Sequence, residues 1–265
     1  FFFKQKTAYD IRLSLVGSEM CIRDSAIAIE VQQYLGIQGF AFDMNVACSS
    51  ATFGIQAAAD MIKAGSAETI LIVDPEICSG HLDFKDRDCH FIFGDVCTAM
   101  VLEKKVSANS PNSFEILSTK CITQFSNNIR NNFGFLNNAK QSTPLDRDML
   151  FMQEGRKVFK EVVPMVSQLI LDHLSDETIE INNVKRLWLH QANKSMNDLI
   201  GKKVLGRTPE KDEQPNILQD YANTSSAGSI IAFSQYSKDM NKDEIGVLCS
   251  FGAGYSAGSV ILRKT

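Results

Sequence analysis

FAFDMNVACSSATFGIQAAADMIKAGSAETILIVDPE, residues 40–76, reads as strand, helix and strand in succession. FAFDMNVAC has the apolar content of a buried strand. SSATFGIQAAADMIKAG follows with small, helix-compatible residues and stops at Gly65, and ETILIVDPE is a short β-rich run ended by Pro75. Two strands joined through a helix imply a right-handed crossover between parallel strands. The loop after the first strand then lies at the carboxyl edge of the sheet, where ligand sites of α/β folds gather, and Cys48 sits at that edge.

Upstream, AIAIEVQQYLGIQG (26–39) reads as the end of an amphipathic helix and a glycine-marked turn. Downstream, CTAMVLEKK and FEILSTKCITQF are strand-like, and the Asn-rich NNIRNNFGFLNNA (127–139) is expected to be loop. Residues 149–174 have helical periodicity, with a kink or break expected at Pro164. VKRLWLH reads as strand, SMNDLIGKKVLG as helix and NTSSAGSIIAFSQYSKDM as a helix with a small-residue start. EIGVLCSFGAGYSAGSVILRK closes the chain as two strands around a glycine-rich turn.

The 265 residues are 44% hydrophobic and 22% charged, ordinary for a globular protein able to bury a sizeable core. A formal net charge of −4 gives no overall preference for nucleic acid or an anionic membrane, so neither is expected as a partner. No run approaches the roughly 18 apolar residues of a membrane span. The seven Cys include no C-x-x-C pair and no Cys/His cluster at zinc spacing, which argues against a disulfide scaffold or a metal site and for a reducing, cytoplasmic setting.

Three positions could carry chemistry. Cys48 stands where a strand turns into a helix, so its sulfur is near the orphan N–H groups and positive dipole end that favour thiolate; alternatively it is a small buried hydrophobe. Cys78, Cys89, Cys97 and Cys121 lack that context and are expected to be structural. His190, in WLHQAN, ends an apolar strand just before a helix and so repeats the placement of Cys48, although a His so placed is more often a satisfied structural residue than a catalyst. His81, His90 and His173 are expected to be surface or packing residues. Asn223, in YANTSSAGS, precedes a helix start and could be only an N-cap. A Cys, a His and an Asn, each at the mouth of its own segment, form a set able to perform acyl transfer.

NVACSSATFG (45–54), FIFGD (91–95), HQAN (190–193), NTSSAGS (223–229) and SFGAGYSAGS (250–259), in this order and spacing, resemble a β-ketoacyl-acyl carrier protein synthase III. The resemblance runs from about residue 30 to the C-terminus. It implies an α/β, thiolase-like fold of alternating helix and sheet layers, normally a homodimer. Residues 26–110 would be the remnant of an incomplete first half carrying Cys48, and 111–265 the second half carrying His190 and Asn223. Residues 1–25, FFFKQKTAYDIRLSLVGSEMCIRDS, fit neither a helical nor an alternating period and are expected to form no element; they resemble translated sequencing-adapter read-through on a truncated gene.

The same resemblance implies a mechanism. Cys48 would take the acyl group of an acyl-coenzyme A primer, and the acyl-enzyme would meet malonyl-acyl carrier protein, which loses carbon dioxide and condenses; no cofactor is expected. His190 and Asn223 would donate to the thioester oxygen on which charge develops, and the backbone N–H groups of Cys48 and Ala253 would form the other oxyanion site. Phe251 would be the apolar residue beside the malonyl carboxylate. Lys194, Lys202, Lys203 and Arg207 could meet an acidic carrier protein or be a solvated face. MQEGRKVFKEVVPMV (152–166) resembles the helix bordering the acyl tunnel, leaving acetyl, branched and medium-chain primers open. Cys249 would suit a thiolase, but it is one residue off that spacing, on the opposite face of its strand, and reads as structural. The alternatives are an inactive fragment and a superfamily acyltransferase that uses another acceptor.

Overall fold

TILIVDPE, strand β3 (Thr69–Glu76), sends Ile70 and Ile72 into one apolar core and Leu71 and Val73 into another. A strand buried on both faces needs a helical layer on each side. The computed structural model describes residues 13–17, 26–108, 110, 112–131 and 150–265. Its first sheet has the order β2-β1-β3-β4, with β1 (Leu13–Gly17), β2 (Phe40–Met44) and β3 parallel and β4 (Val96–Glu103) antiparallel. The second has the order β5-β10-β9-β8, from β5 (Phe114–Ser126), β8 (Val184–Leu189), β9 (Ile245–Gly252) and β10 (Gly254–Lys264).

Helices α2 (Ser50–Lys63) and α6 (Ala227–Gln235), the latter preceded by the single turn α5 (Leu218–Tyr221), fill the space between the sheets: Ala51, Ile55, Ala58 and Ile230 share a core with Ile70 of the first sheet and Trp188, Leu248 and Val260 of the second. Gly258 is required here, since a Cβ would lie 2.3 Å from Thr52 Oγ1 of α2. Helices α3 (Gly155–Asp176) and α4 (Lys194–Leu205) cover the far face of the second sheet, packing Val166, Ile170 and Ile200 on Leu189, Val247 and Ile261. Helix α1 (Ile27–Leu35) lies against β1 and β2. Its first N–H groups, at Ile27 and Ala28, are capped by the Asp43 carboxylate at 2.9 and 2.8 Å, because Ala26 has no side-chain oxygen to offer. The result is five layers, helix and sheet in alternation.

Several expectations need correcting. Residues 13–17, expected to form no element, form β1 between β2 and β3; five residues are too short to show a period, and pairing on both sides supplies what periodicity lacks. The remainder of residues 1–25 lies outside the described residues. Strand β2, expected to be buried, is a half-buried edge strand. Pro75 does not end β3, which runs to Glu76 and pairs through the proline with Cys97 of β4. Pro164 does not break α3, whose 22 residues are continuous, with the ring on the exposed face. That helix starts at Gly155, and Met152–Gln153 (β7) instead pairs with Ile129–Arg130 (β6) within the expected loop. The later part of that loop lies outside the described residues.

His173 is a buried linchpin of the second sheet. Its Nε2 is 2.7 Å from Ser118 Oγ on β5 and its Nδ1 2.9 Å from Ser259 Oγ on β10. Burial, the main cause, pushes the imidazole down to about 4. The unfolded chain takes up a proton near pH 6.5 that the folded chain refuses, so His173 withdraws stability as pH falls from about 6.5 to about 4. Thermal unfolding scanned across that window should show a falling midpoint, and His173→Gln should flatten the fall.

Candidate active site

Cys48 lies in a short 3-10 turn, Ala47–Ser49, that leads from β2 into α2. The turn is held in a costly conformation: Ala47 has φ +47°, in the left-handed region that disfavours a Cβ. Asn45 Oδ1 accepts the Ala47 N–H at 2.8 Å, and Ser50 Oγ donates to Ala47 O at 2.7 Å. Such strain costs of order 1–3 kcal/mol and persists only where the surroundings over-determine it.

The β9–β10 hairpin closes on this turn with Ala253 as its one connecting residue. Ser49 donates to Ser256 O at 2.9 Å, Thr52 Oγ1 is 2.6 Å from Ser250 Oγ, and Ser256 Oγ lies 2.9 Å from Ala253 O and 3.2 Å from Val46 O. Gly252 is where the two backbones touch: a Cβ there would sit 2.5 Å from Cys48 Cβ and 3.2 Å from its Cα. Gly252→Ala must therefore displace strand or nucleophile, and the rate of Cys48 acylation, followed by intact mass, should fall on the order of 10²-fold. Gly254, at φ +127°, belongs to the residues of positive φ, whereas Ala253 does not, so an alanine fits there with its N–H kept.

Three residues of HQAN have separate tasks. His190 follows the last residue of β8; its N–H donates to Cys249 O at 2.7 Å, its O accepts from Asn197 Nδ2 at 2.9 Å, and its ring meets Phe251 edge-on at 5.1 Å. Gln191 Oε1 accepts from Ile217 N at 3.0 Å, bracing the segment before Asn223, and Asn193 caps α4 by accepting from Met196 N at 3.2 Å. Asn223 itself is not an N-cap, since α6 begins only at Ala227. Its Oδ1 accepts from Ser225 N at 3.0 Å, and its backbone pairs with FIFGD through Asn223 N–H to Ile92 O at 2.9 Å and Gly94 N–H to Asn223 O at 3.0 Å. Ala222 and Ser225, on either side, also have positive φ, +57° and +48°.

Cys48, Ala253, Ser225, Phe93, Phe151 and His81 line one cleft, in which Phe93 and Phe151 pack edge-to-face at 4.8 Å. Cys78 lines it as well. Sequence reasoning missed His81 and Cys78 as site-lining residues, because CSGH (78–81) is a 3-10 turn with no strand-to-helix context. The structure answers differently for the other candidates. Cys249 is fully buried on the α3–α4 face, opposite Gly252, and burial pushes its thiol up; Cys121 is pushed up to about 12, again by burial. Of the four proposed carrier-binding cations, Lys194 pairs with Asp198 and Arg207 with Glu213 on the exposed surface, and Lys202 and Lys203 are exposed on α4.

In comparisons with solved structures, the layered fold overlays 3-oxoacyl-[acyl-carrier-protein] synthase III from Aquifex aeolicus with a TM-score of 0.81 at 24% identity, over 97% of this chain and 78% of that one. The same-named enzyme from Pseudomonas aeruginosa PAO1 overlays with 0.77 at 24%, over 95% and 76%. The fold is thus α/β and thiolase-like. Two sequence profiles, 3-oxoacyl-[acyl-carrier-protein] synthase III and its C-terminal part, match residues 42–124 and 174–264. Among curated relatives, a β-ketodecanoyl-[acyl-carrier-protein] synthase of Pseudomonas aeruginosa is 63% identical over 239 residues, 90% of this chain and 68% of that protein. A β-ketoacyl-[acyl-carrier-protein] synthase III of Psychromonas ingrahamii is 31% identical over 97% of this chain and 78% of its own length. The chain belongs to the 3-oxoacyl-[acyl-carrier-protein] synthase III family of condensing acyltransferases.

Proposed function

We propose that this chain condenses a medium-chain acyl-coenzyme A with malonyl-acyl carrier protein, with Cys48 as nucleophile and His190 and Asn223 as the donors of the condensation step. The observation that carries this reading is the seating of Gly252 on Cys48, which sets the nucleophile against the Ala253 turn at the carboxyl edge where β8 delivers His190. Cys48 attacks the thioester carbonyl, coenzyme A leaves as thiol, and the backbone N–H groups of Cys48 and Ala253 face the oxyanion. Malonyl-acyl carrier protein then loses carbon dioxide, and the electron pair moves onto its thioester oxygen as an enolate. Neutral His190 and the Asn223 amide donate to that oxygen, and Phe251 presents an apolar ring where the carboxylate departs, which favours loss of a charged group. The enolate carbon attacks the acyl-enzyme and Cys48 leaves as thiolate.

The primer reading comes from the 63% identical relative: a β-ketodecanoyl product implies an octanoyl donor two carbons shorter, and Phe93 and Phe151 give the cleft an apolar lining suited to such a chain. Lys194, Lys202, Lys203 and Arg207 are the exposed cations offered to an acidic carrier protein. Homodimer assembly and a cytoplasmic setting belong to this proposal; among the described residues no helix is long and apolar enough to cross a membrane. The scheme calls on no cofactor. Intact-protein mass after mixing with acetyl-, butyryl- or octanoyl-coenzyme A tests it: the octanoyl adduct should accumulate fastest and be discharged by malonyl-acyl carrier protein. A faster acetyl adduct would refute the primer assignment.

A further inference from the structure

Ser226 stands three residues beyond Asn223 and is the meeting point of two buried carboxyl groups that the proposed chemistry does not use. Asp74 and Glu76, 1% and 3% exposed, lie two apart on β3 and therefore on one face of it. Ser226 Oγ is 2.7 Å from Asp74 Oδ1, 2.8 Å from Asp74 Oδ2 and 2.7 Å from Glu76 Oε1, and the Ser226 N–H donates to Glu76 Oε1 at 2.9 Å.

These contacts fix a proton count. A hydroxyl carries one proton and can make one short donation. Two oxygens on different carboxyl groups each lie 2.7 Å from Ser226 Oγ, the usual length of an O–H···O bond, and the single hydroxyl proton can serve only one of them. One carboxyl must therefore bring a proton of its own. Glu76 Oε1 already accepts the Ser226 N–H, which favours the charged form there. We infer that Asp74 is held protonated and donates to Ser226 Oγ, that Ser226 donates to the Glu76 carboxylate, and that this relay positions Asn223.

The need for such a brace lies in the turn itself. Ala222 and Ser225 both occupy the left-handed region, and the strain must be opposed by contacts on either side of Asn223. FIFGD holds the near side through Ile92 and Gly94. The relay holds the far side, across 150 residues of sequence. Among the described residues, the neighbouring elements place the following groups around the relay. On β4, Thr98 is opposite Asp74 and Val96 opposite Glu76, Cys97 stands between them, and Glu103 is at the other end, opposite Thr69. The adjoining Asp95 carboxylate is 2.5 Å from Ser79 Oγ. The sequences of β1 and α6 contain no ionisable residue, and α2 has only Asp60 and Lys63, in its last turn.

The inference rests on the proposed role of Asn223, and its test separates the two. In infrared spectra of the full chain at neutral pH, a protonated-carboxyl C=O band should be present, should shift in protein labelled with 13C-aspartate but not 13C-glutamate, and should vanish in Asp74→Asn. Asparagine keeps an N–H donor for Ser226 Oγ, so Asp74→Asn should condense within about threefold of wild type. Asp74→Ala and Glu76→Ala should lose about 10- to 100-fold in condensation kcat as Asn223 drifts, with Cys48 acylation little changed. A missing band, a band insensitive to aspartate labelling, or Asp74→Asn as impaired as Asp74→Ala would overturn the relay. Failure of the wild-type acyl-enzyme to condense would instead sink the proposed function, while the infrared band would still decide the proton.

Discussion

Cys48→Ala should form no acyl adduct with any acyl-coenzyme A, a complete loss in a chain that remains folded. Cys48 is half-buried in a pre-formed turn whose Ala47 strain, Asn45 bridge and Ser50 bond are all made by other residues, so removing the sulfur leaves the scaffold intact. The thermal midpoint should move little, since truncating the side chain removes one sulfur from a cleft already open to solvent. Intact mass reads the adduct and a melting curve reads the fold. Persistence of an adduct in Cys48→Ala would assign the nucleophile elsewhere, with Cys78 in the same cleft the first to examine.

His190→Ala and Asn223→Ala should behave in the opposite way, acylating at Cys48 but failing to discharge onto malonyl-acyl carrier protein. Removing one preorganised donor from an oxyanion site costs on the order of 10²–10³ in rate, about 2.7–4 kcal/mol. The double variant should be little worse than the single ones, because donors that act on one oxygen act as a unit. Rapid-quench kinetics with preformed acyl-enzyme isolates the step. Of the two, Asn223→Ala should carry the additional structural loss, since its Oδ1 holds the Ser225 N–H in a turn strained on both sides. Equal slowing of acylation and condensation would place these residues in general scaffolding instead.

The candidate residues were legible because each stands at a local discontinuity. Apolar runs give way to small residues at Cys48, to HQAN at His190 and to NTSS at Asn223, and these junctions survive as strand ends and turn residues in the fold. The errors are also local in origin. Pro164 was expected to kink or break α3; the helix is continuous there, and the buried Val162, Val163 and Val166 flank it. Burying each contributes about 1.5–3 kcal/mol, enough to exceed the roughly 3 kcal/mol cost of a proline inside a helix. His173, expected to be a surface or packing residue, is a packing one, but nothing in DHL (172–174) announces its two serine partners on other elements, at separations of 55 and 86 residues.

By itself, the sequence determined the α/β alternation, the positions of the principal helices and strands, and the three residues proposed to carry the chemistry, because side-chain period and turn chemistry act over a few residues. Only the tertiary structure decided that residues 13–17 pair between β2 and β3, that Gly252 seats Cys48, that His81 and Cys78 enter the cleft, and that Asp74 and Glu76 close on Ser226. Those contacts join segments up to 204 residues apart, from Cys48 to Gly252. They depend on which layers stack and in what register, and no local pattern encodes a partner on another layer.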